Sequence, residues 1–265
     1  MQRRILIIDD HDDLATALEE VFTAMGHLVT CLKSRIDALD IADFEQFDIV
    51  ITDLDVQSTR TPNHNGTSPV CDNQQDQIKA FKVSAANFVD SGFDENELKD
   101  IVATVLDYKT RHIDTAHSLQ DLHELIEFEV PSAISLMHII LEYLLKRVEK
   151  LGVVRSEQSN LFVALDEAFV NAVKHGNKFD AAKLVRITAD VCTEEARFTI
   201  EDEGEGFDVN SIPDPLDPQN LFKTSGRGVL FIYNIMDEVV YNDRGNRLTM
   251  VKRSEPGPSM VNQDR

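Results

Sequence analysis

The stretch ALDEAFVNAVKHGN, residues 164–177, decides how this chain is read. Wound as a helix, it brings Glu167, Asn171 and His175 onto one face, because residues four apart are neighbours on a helix surface. Leu165, Phe169, Ala172 and Val173 fall on the other sides, where they can pack, and Gly176 is a natural stop. An acid, an amide and an imidazole aligned in this way suit phosphate and metal chemistry. The same spacing also describes an ordinary solvated helix face, so its meaning depends on what surrounds it.

Downstream, Val185, Ile187, Ala189 and Val191 alternate with polar residues, as do Phe198 and Ile200, which predicts strands with one face buried. The second strand runs into Asp202-Glu203-Gly204-Glu205-Gly206-Phe207-Asp208. Glycines at alternate positions after a strand-end carboxylate allow a tight turn and close approach to a flat ligand, although a D-x-G-x-G turn is common by itself. A proline-rich loop over 212–220 reads as a lid. It leads into Ser225-Gly226-Arg227-Gly228, which opens a helix carrying Val229, Leu230, Ile232, Ile235 and Met236. Such a turn offers backbone N–H groups at the positive end of a helix and suits phosphate; its plainer role is a helix cap. Glu238–Tyr241 and Arg247–Lys252 then predict a hairpin, with Gly245 in its turn.

Upstream, Phe128–Val130 reads as a short strand and Pro131-Ser132 as a helix start. Ile134, Met137, Ile140, Leu141, Leu144, Leu145 and Val148 give the next helix a broad apolar face, ended by Gly152. The opening of the chain alternates strand and helix. Ile5–Ile8 predicts a buried parallel strand ending in Asp9 and Asp10, Leu14–Met25 a helix stopped by Gly26, Leu28–Leu32 a strand, Ile36–Phe44 a helical segment, and Asp48–Thr52 a strand ending at Asp53. Residues 58–76 are polar and hold no apolar run. Residues 97–108 read as helix, and 117–124 are helix-compatible, so a helical linker is expected there.

A chain of 265 residues suits two domains, each able to bury a core. The formal charge of -21 repels phosphate backbones, and no basic patch offsets it, so direct nucleic-acid binding is not expected. The five apolar residues at the N-terminus are too few for a signal-peptide core, and no run is long enough to span a membrane; a cytoplasmic protein is expected. Cys31, Cys71 and Cys192 lack metal-site spacing and read as reduced thiols.

Asp9 and Asp10 after the first strand and Asp53 after the third resemble the acidic positions of bacterial response-regulator receiver domains. The resemblance implies a flavodoxin-like parallel sheet, here with one strand unaccounted for, and a divalent-metal pocket in which Asp53 is the phosphoacceptor. Ser91-Gly92 stands where that family usually has Lys-Pro, so the receiver reads as degenerate. Two readings stand for this part: a docking or dimerisation domain, and a receiver phosphorylated on Asp53.

From about residue 124 to 253, the ordered set E-x-x-x-N-x-x-x-H-G-N, D-x-G-x-G-F, lid, S-G-R-G-x-x-F and final hairpin resembles the GHKL (Bergerat) ATP-binding fold. Within that fold it is similar to the serine-kinase branch of bacterial anti-sigma factors. The resemblance implies an α+β two-layer sandwich, giving an α/β two-domain chain: receiver 1–107, helical linker 108–123, GHKL domain 124–254 and tail 255–265. It implies ATP and Mg2+ as cofactors, Glu167 as the catalytic carboxylate that orients the attacking hydroxyl or accepts its proton, and Asn171 as the Mg2+ ligand. Asp202 would hold the adenine amine, with His175, Gly204, Gly206, Gly226, Arg227 and Gly228 around the nucleotide. The function implied is phosphorylation of Ser or Thr on a small anti-sigma-antagonist, STAS-like protein in a partner-switching pathway. A sigma factor and a second copy of the chain are further expected partners. Thr224 stands where related kinases often carry a basic residue, with Lys223 and Arg227 as substitutes. A non-catalytic ATP-gated binding switch and a receiver-controlled adaptor remain alternatives.

Overall fold

The computed structural model describes residues 2–39, 41, 44–57, 77–87, 94–113, 123–154, 160–209 and 227–254. Strand β1 (Arg4–Asp9) is buried from Ile5 to Asp9 because it is covered on both faces, as a continuous apolar run predicts. β2 (Leu28–Leu32) and β3 (Ile49–Gln57) flank it in parallel, and α1 (Asp13–Ala24) buries Leu14, Ala15, Leu18 and Phe22 against the sheet. α2 (Arg35–Leu39) contributes Ala38 to a small second core on the opposite face, with Leu6, Ile8, Phe47 and Leu54.

Beyond β3 the expected all-parallel sheet ends. β4 (Gln77–Ser84), in the register Asp53↔Phe81, runs antiparallel to β3. Its alternation of Ile78, Ala80 and Lys82 against Lys79, Phe81 and Val83 lies outside the expected strand set. β3 also extends past its expected end, so Asp53 sits in mid-strand. After β4, α3 (Glu95–Tyr108) opens on the Asp94 side chain, which accepts from the Asn96 N–H, and buries Leu98, Ile101, Val102, Val105 and Leu106. It closes in a π-turn over Lys109–Ile113.

The strand that follows, β5 (His123–Pro131), pairs in parallel with β4. Parallel neighbours require a crossover, and α3 supplies it. The helix expected to run through residues 117–124 is therefore corrected at His123 and Glu124, which are strand residues; 114–122 lie outside the described residues. Alternate side chains of β5 face the helical layer, and this period-two pattern, extended by Ile126, Phe128 and Val130, outweighs the weak helical spacing of the leucines.

The rest of the sheet is antiparallel: β6 (Leu184–Val191), β7 (Glu195–Asp202) and the hairpin of β8 (Glu238–Tyr241) and β9 (Arg247–Arg253). The strand order is β2-β1-β3-β4-β5-β6-β7-β9-β8, one sheet running through both halves of the chain. Over one face lie α1, α3, α4 (Ile134–Lys150), α5 (Leu161–Asn171) and α6 (Arg227–Ile235), with α3 packed on both α1 and α4. A single apolar core runs beneath them from Ile5 to Met250. At its middle the Arg147 guanidinium of α4 donates to both carboxylate oxygens of Glu124, with Nε at 2.7 Å from Oε2, and both side chains are buried. Among the described residues no helix is long and apolar enough to cross a membrane. Cys31 is a free thiol, which burial pushes up to about 11; Cys192 is disulfide-bonded, contrary to the expected reduced state.

Candidate functional site

Helix α5 buries Leu161, Ala164, Leu165, Ala168 and Phe169, and this apolar face turns Glu167 and Asn171 the other way. The helix does not continue to Gly176 as a regular α-helix. A π-turn over Ala172–Gly176 widens the last turn, with Asn177 N–H donating to Ala172 C=O at 2.8 Å, five residues back. Through this turn Glu167, Asn171 and His175 still line one cavity of about 650 Å³, within the range that holds a nucleotide-sized ligand. Its floor is the end of β7 and the β8–β9 hairpin, through Ile200, Asp202, Tyr241 and Leu248; Gly206, Phe207, Gly228 and Val229 complete the wall.

Asp202 is the buried acid of this cavity, 8 % exposed. Burial pushes its carboxyl above the usual carboxylate range, opposed by the Gly204 N–H, which donates to Oδ1 at 2.8 Å, and by the charge of Arg244. Its backbone is held on both sides by Asn246: Asp202 N–H donates to Asn246 C=O at 3.0 Å, and Asn246 Nδ2 donates to Asp202 C=O at 2.7 Å. A desolvated carboxylate aimed into a mostly apolar cavity is a strong acceptor for an exocyclic amine.

The glycines of the 202–206 turn serve the protein as much as any ligand. A Cβ on Gly204 would collide with the Gly176 carbonyl oxygen, and one on Gly206, at φ 77°, with the carbonyl oxygen of Arg244. Gly176 in turn lies against the Asp202 carboxylate, with no room for a Cβ between them. The end of α5 and the D-x-G-x-G turn are therefore packed backbone to backbone.

Asn177 was legible only as part of the helix stop, yet it fastens the site. It is fully buried; its Nδ2 donates to Ser132 Oγ at 2.7 Å and to Leu184 C=O at 2.8 Å, and its Oδ1 accepts from Glu203 N–H at 2.8 Å. One amide so ties the starts of α4 and β6 and the residue after Asp202 to the end of α5. The asparagine directly after His-Gly was its visible signal. Tyr241 and Phe207 were also missed as a pair; their rings meet edge to face, 5.3 Å apart, on the cavity wall, and burial pushes the Tyr241 phenol up to about 12.

Of the other expected residues, Gly226 and the lid over 212–220 lie outside the described residues, and Arg227 is the first residue of α6. In the N-terminal half, Asp9 is engaged by backbone: its carboxylate accepts from the N–H groups of His11, Leu14 and Ala15 at 3.0, 2.8 and 2.9 Å, which organises the start of α1. Asp10 accepts from Asp55 N–H at 2.8 Å and meets His11 Nδ1 at 2.6 Å. Asp9, Asp10 and His11 stand close enough to share a cation, while Asp53 lies outside that group and pairs with Lys109 at 2.6 Å.

The side-chain oxygen of Asn171, a residue of the cavity lining, is the hard kind of ligand that Mg2+ prefers, and the volume and buried acid fit an adenine nucleotide.

Comparison with known proteins covers the same half of the chain. Residues matched over 142 positions are 26% identical to the serine-protein kinase RsbW of Staphylococcus epidermidis, covering 51% of this chain and 89% of that protein. The serine-protein kinase RsbW of Staphylococcus aureus strain Newman is 25% identical over the same length. Residues 131–252, which carry α4 to β9 and the whole cavity, match the family model described as the histidine kinase-like ATPase domain.

Proposed function

We propose that this chain is an ATP-dependent protein serine/threonine kinase of the anti-sigma-factor type, acting on a small anti-sigma-antagonist, STAS-like protein in partner-switching signalling. The observation that carries the reading is the convergence of Glu167, Asn171, His175 and Asp202 on one cavity closed by the start of α6. Similarity to serine-protein kinases over the same half of the chain supports it. Asp202 accepts a hydrogen bond from the adenine amine, and the Phe207–Tyr241 wall and Ile200 exclude water around the base. Asn171 holds Mg2+ with the nucleotide, and His175 stands at the rim. ATP with its metal supplies the phosphoryl group and the charge neutralisation; the chain's own part is positioning. Glu167 orients the attacking Ser or Thr hydroxyl and accepts its proton.

In this reading the N-terminal half regulates or docks. Asp53 stands outside the Asp9, Asp10 and His11 group that could share a cation, which favours docking over phosphoryl acceptance. A sigma factor and a second copy of the chain remain candidate partners.

The test is incubation with labelled ATP, Mg2+ and candidate antagonist proteins. Label on a Ser or Thr of one of them, lost in Glu167→Gln with ATP binding retained, is the expected result. A stable ATP-dependent complex without label would instead make the chain a nucleotide-gated binding switch.

A further inference from the structure

Gly228 is the second residue of α6, and it faces the helix that carries the proposed base. A Cβ built on Gly228 would collide with Glu167 Oε2 and stand 2.6 Å from Cδ and 3.2 Å from Oε1. The nearest neighbours of this glycine are thus the atoms of one carboxylate. α5 and α6 pack closely along this line. Both α5 and α6 have their backbone fixed by buried neighbours, Ala168 and Phe169 on one side and Ile232 on the other, so the spacing between them is set by the core. The Glu167 carboxylate occupies the remaining gap, against the opening turn of α6, where the N–H groups of a first helical turn and the helix dipole favour negative charge.

We propose that Gly228 is a positioning residue for Glu167: its missing side chain is the seat that holds the carboxylate against the first turn of α6, and this seat aims the acid into the cavity. Sequence resemblance placed Gly228 among the residues that wrap phosphate. The contact gives it a different role, linking the helix that follows the lid to the acid of α5. The proposal rests on the kinase reading for the word base, but the seat itself is a geometric relation and is tested apart from catalysis.

The atoms that the added methyl of Gly228→Ala would meet are the far end of a flexible side chain. This variant should therefore fold, with Glu167 swung aside rather than the helices forced apart. Two measurements on the full chain decide the matter. The first is a stability cycle by chemical denaturation. Alanine is favoured over glycine inside a helix, so Gly228→Ala should raise the midpoint in a Glu167→Ala background, while in the presence of Glu167 the eviction of the carboxylate cancels that gain. An equal shift in both backgrounds would overturn the seat. The second is steady-state transfer to whichever antagonist protein the wild type labels. Gly228→Ala should lower kcat by about tenfold or more with KM for ATP changed less than about threefold, as expected when a base is misplaced and nucleotide binding is not. In a Glu167→Asp background, whose shorter acid clears the methyl, Gly228→Ala should add no further loss. Weakened ATP affinity with kcat intact would instead make Gly228 a phosphate-contacting glycine and overturn the proposal. Absence of transfer by the wild type on every candidate would remove the kinase reading alone, and the stability cycle would still decide the seat.

Discussion

The Lys109 ammonium lies 2.6 Å from the Asp53 carboxylate, and both side chains are largely buried, at 7 % and 14 % exposure. Lys109 comes from the π-turn that ends α3, and its ammonium also sits over the Phe81 ring of β4, 4.7 Å from the centroid. Phe81 contacts Tyr143 of α4. An acid of the N-terminal strands is thereby joined, through one lysine and two rings, to a helix of the half that carries the cavity.

Because Asp53 stands apart from the Asp9, Asp10 and His11 group that could share a cation, acetyl phosphate should leave the intact mass of the protein unchanged. An added phosphoryl group that vanishes in Asp53→Asn would support the phosphorylated-receiver reading instead. Lys109→Ala should destabilise the chain by about 3–5 kcal/mol in urea titration, since a largely buried carboxylate loses the ammonium beside it, and Asp53→Asn in the same background should recover much of that loss.

Asn177→Ala removes the three hydrogen bonds of a fully buried amide, one buried and two part-buried; the Leu184 carbonyl and the Glu203 N–H lose this partner, while Ser132 Oγ keeps the Lys183 carbonyl. The expected cost is about 2–4 kcal/mol of unfolding free energy. The Glu203 bond steers the residue next to Asp202, so ATP affinity should fall as well; unchanged affinity, measured by calorimetry under folding conditions, would confine Asn177 to a structural role.

Asp202 pairs function against stability. Burial raises its carboxyl, so the folded chain holds the proton more tightly than the unfolded chain does. The group's favourable contribution is fully present below the ordinary carboxylate pKa and is lost as pH rises through the raised value. Asp202→Asn should therefore raise the denaturation midpoint at pH 7 and lose that advantage at about pH 3, while ATP binding at pH 7 weakens by about tenfold or more. A lower midpoint at pH 7 would contradict the sign.

The crossover of α3 between β4 and β5 makes the two halves share a sheet and a core. Heating the full chain should give one calorimetric transition, coincident with loss of circular dichroism. A fragment of residues 124–254 would leave the β5 edge and the α4 face uncovered and should be poorly soluble. Two separated transitions, or a monomeric and well-folded fragment, would support the two-domain division expected from the sequence.

Much of the architecture follows from local pattern. The period-two runs at 185–191 and 198–200, the helical face of Ile134–Val148 and the glycine stops at Gly26 and Gly152 each place an element within a few residues of where it lies. The order of Glu167, Asn171, Asp202 and Gly228 along the chain likewise pointed to one cavity before any tertiary contact was visible. Pairing partners were beyond local pattern. That β4 runs against β3 and beside β5, that the chain at His123 is strand, and that Lys109 closes on Asp53 depend on contacts between residues tens of positions apart, which no window of sequence contains. The same holds within the site. Side-chain type announced an acid, an amide and glycines, but only the packed structure decided that Gly204 makes room for Gly176, that Asn177 locks the turn, and that Gly228 meets Glu167, because each is a matter of distance between backbones fixed by the shared core.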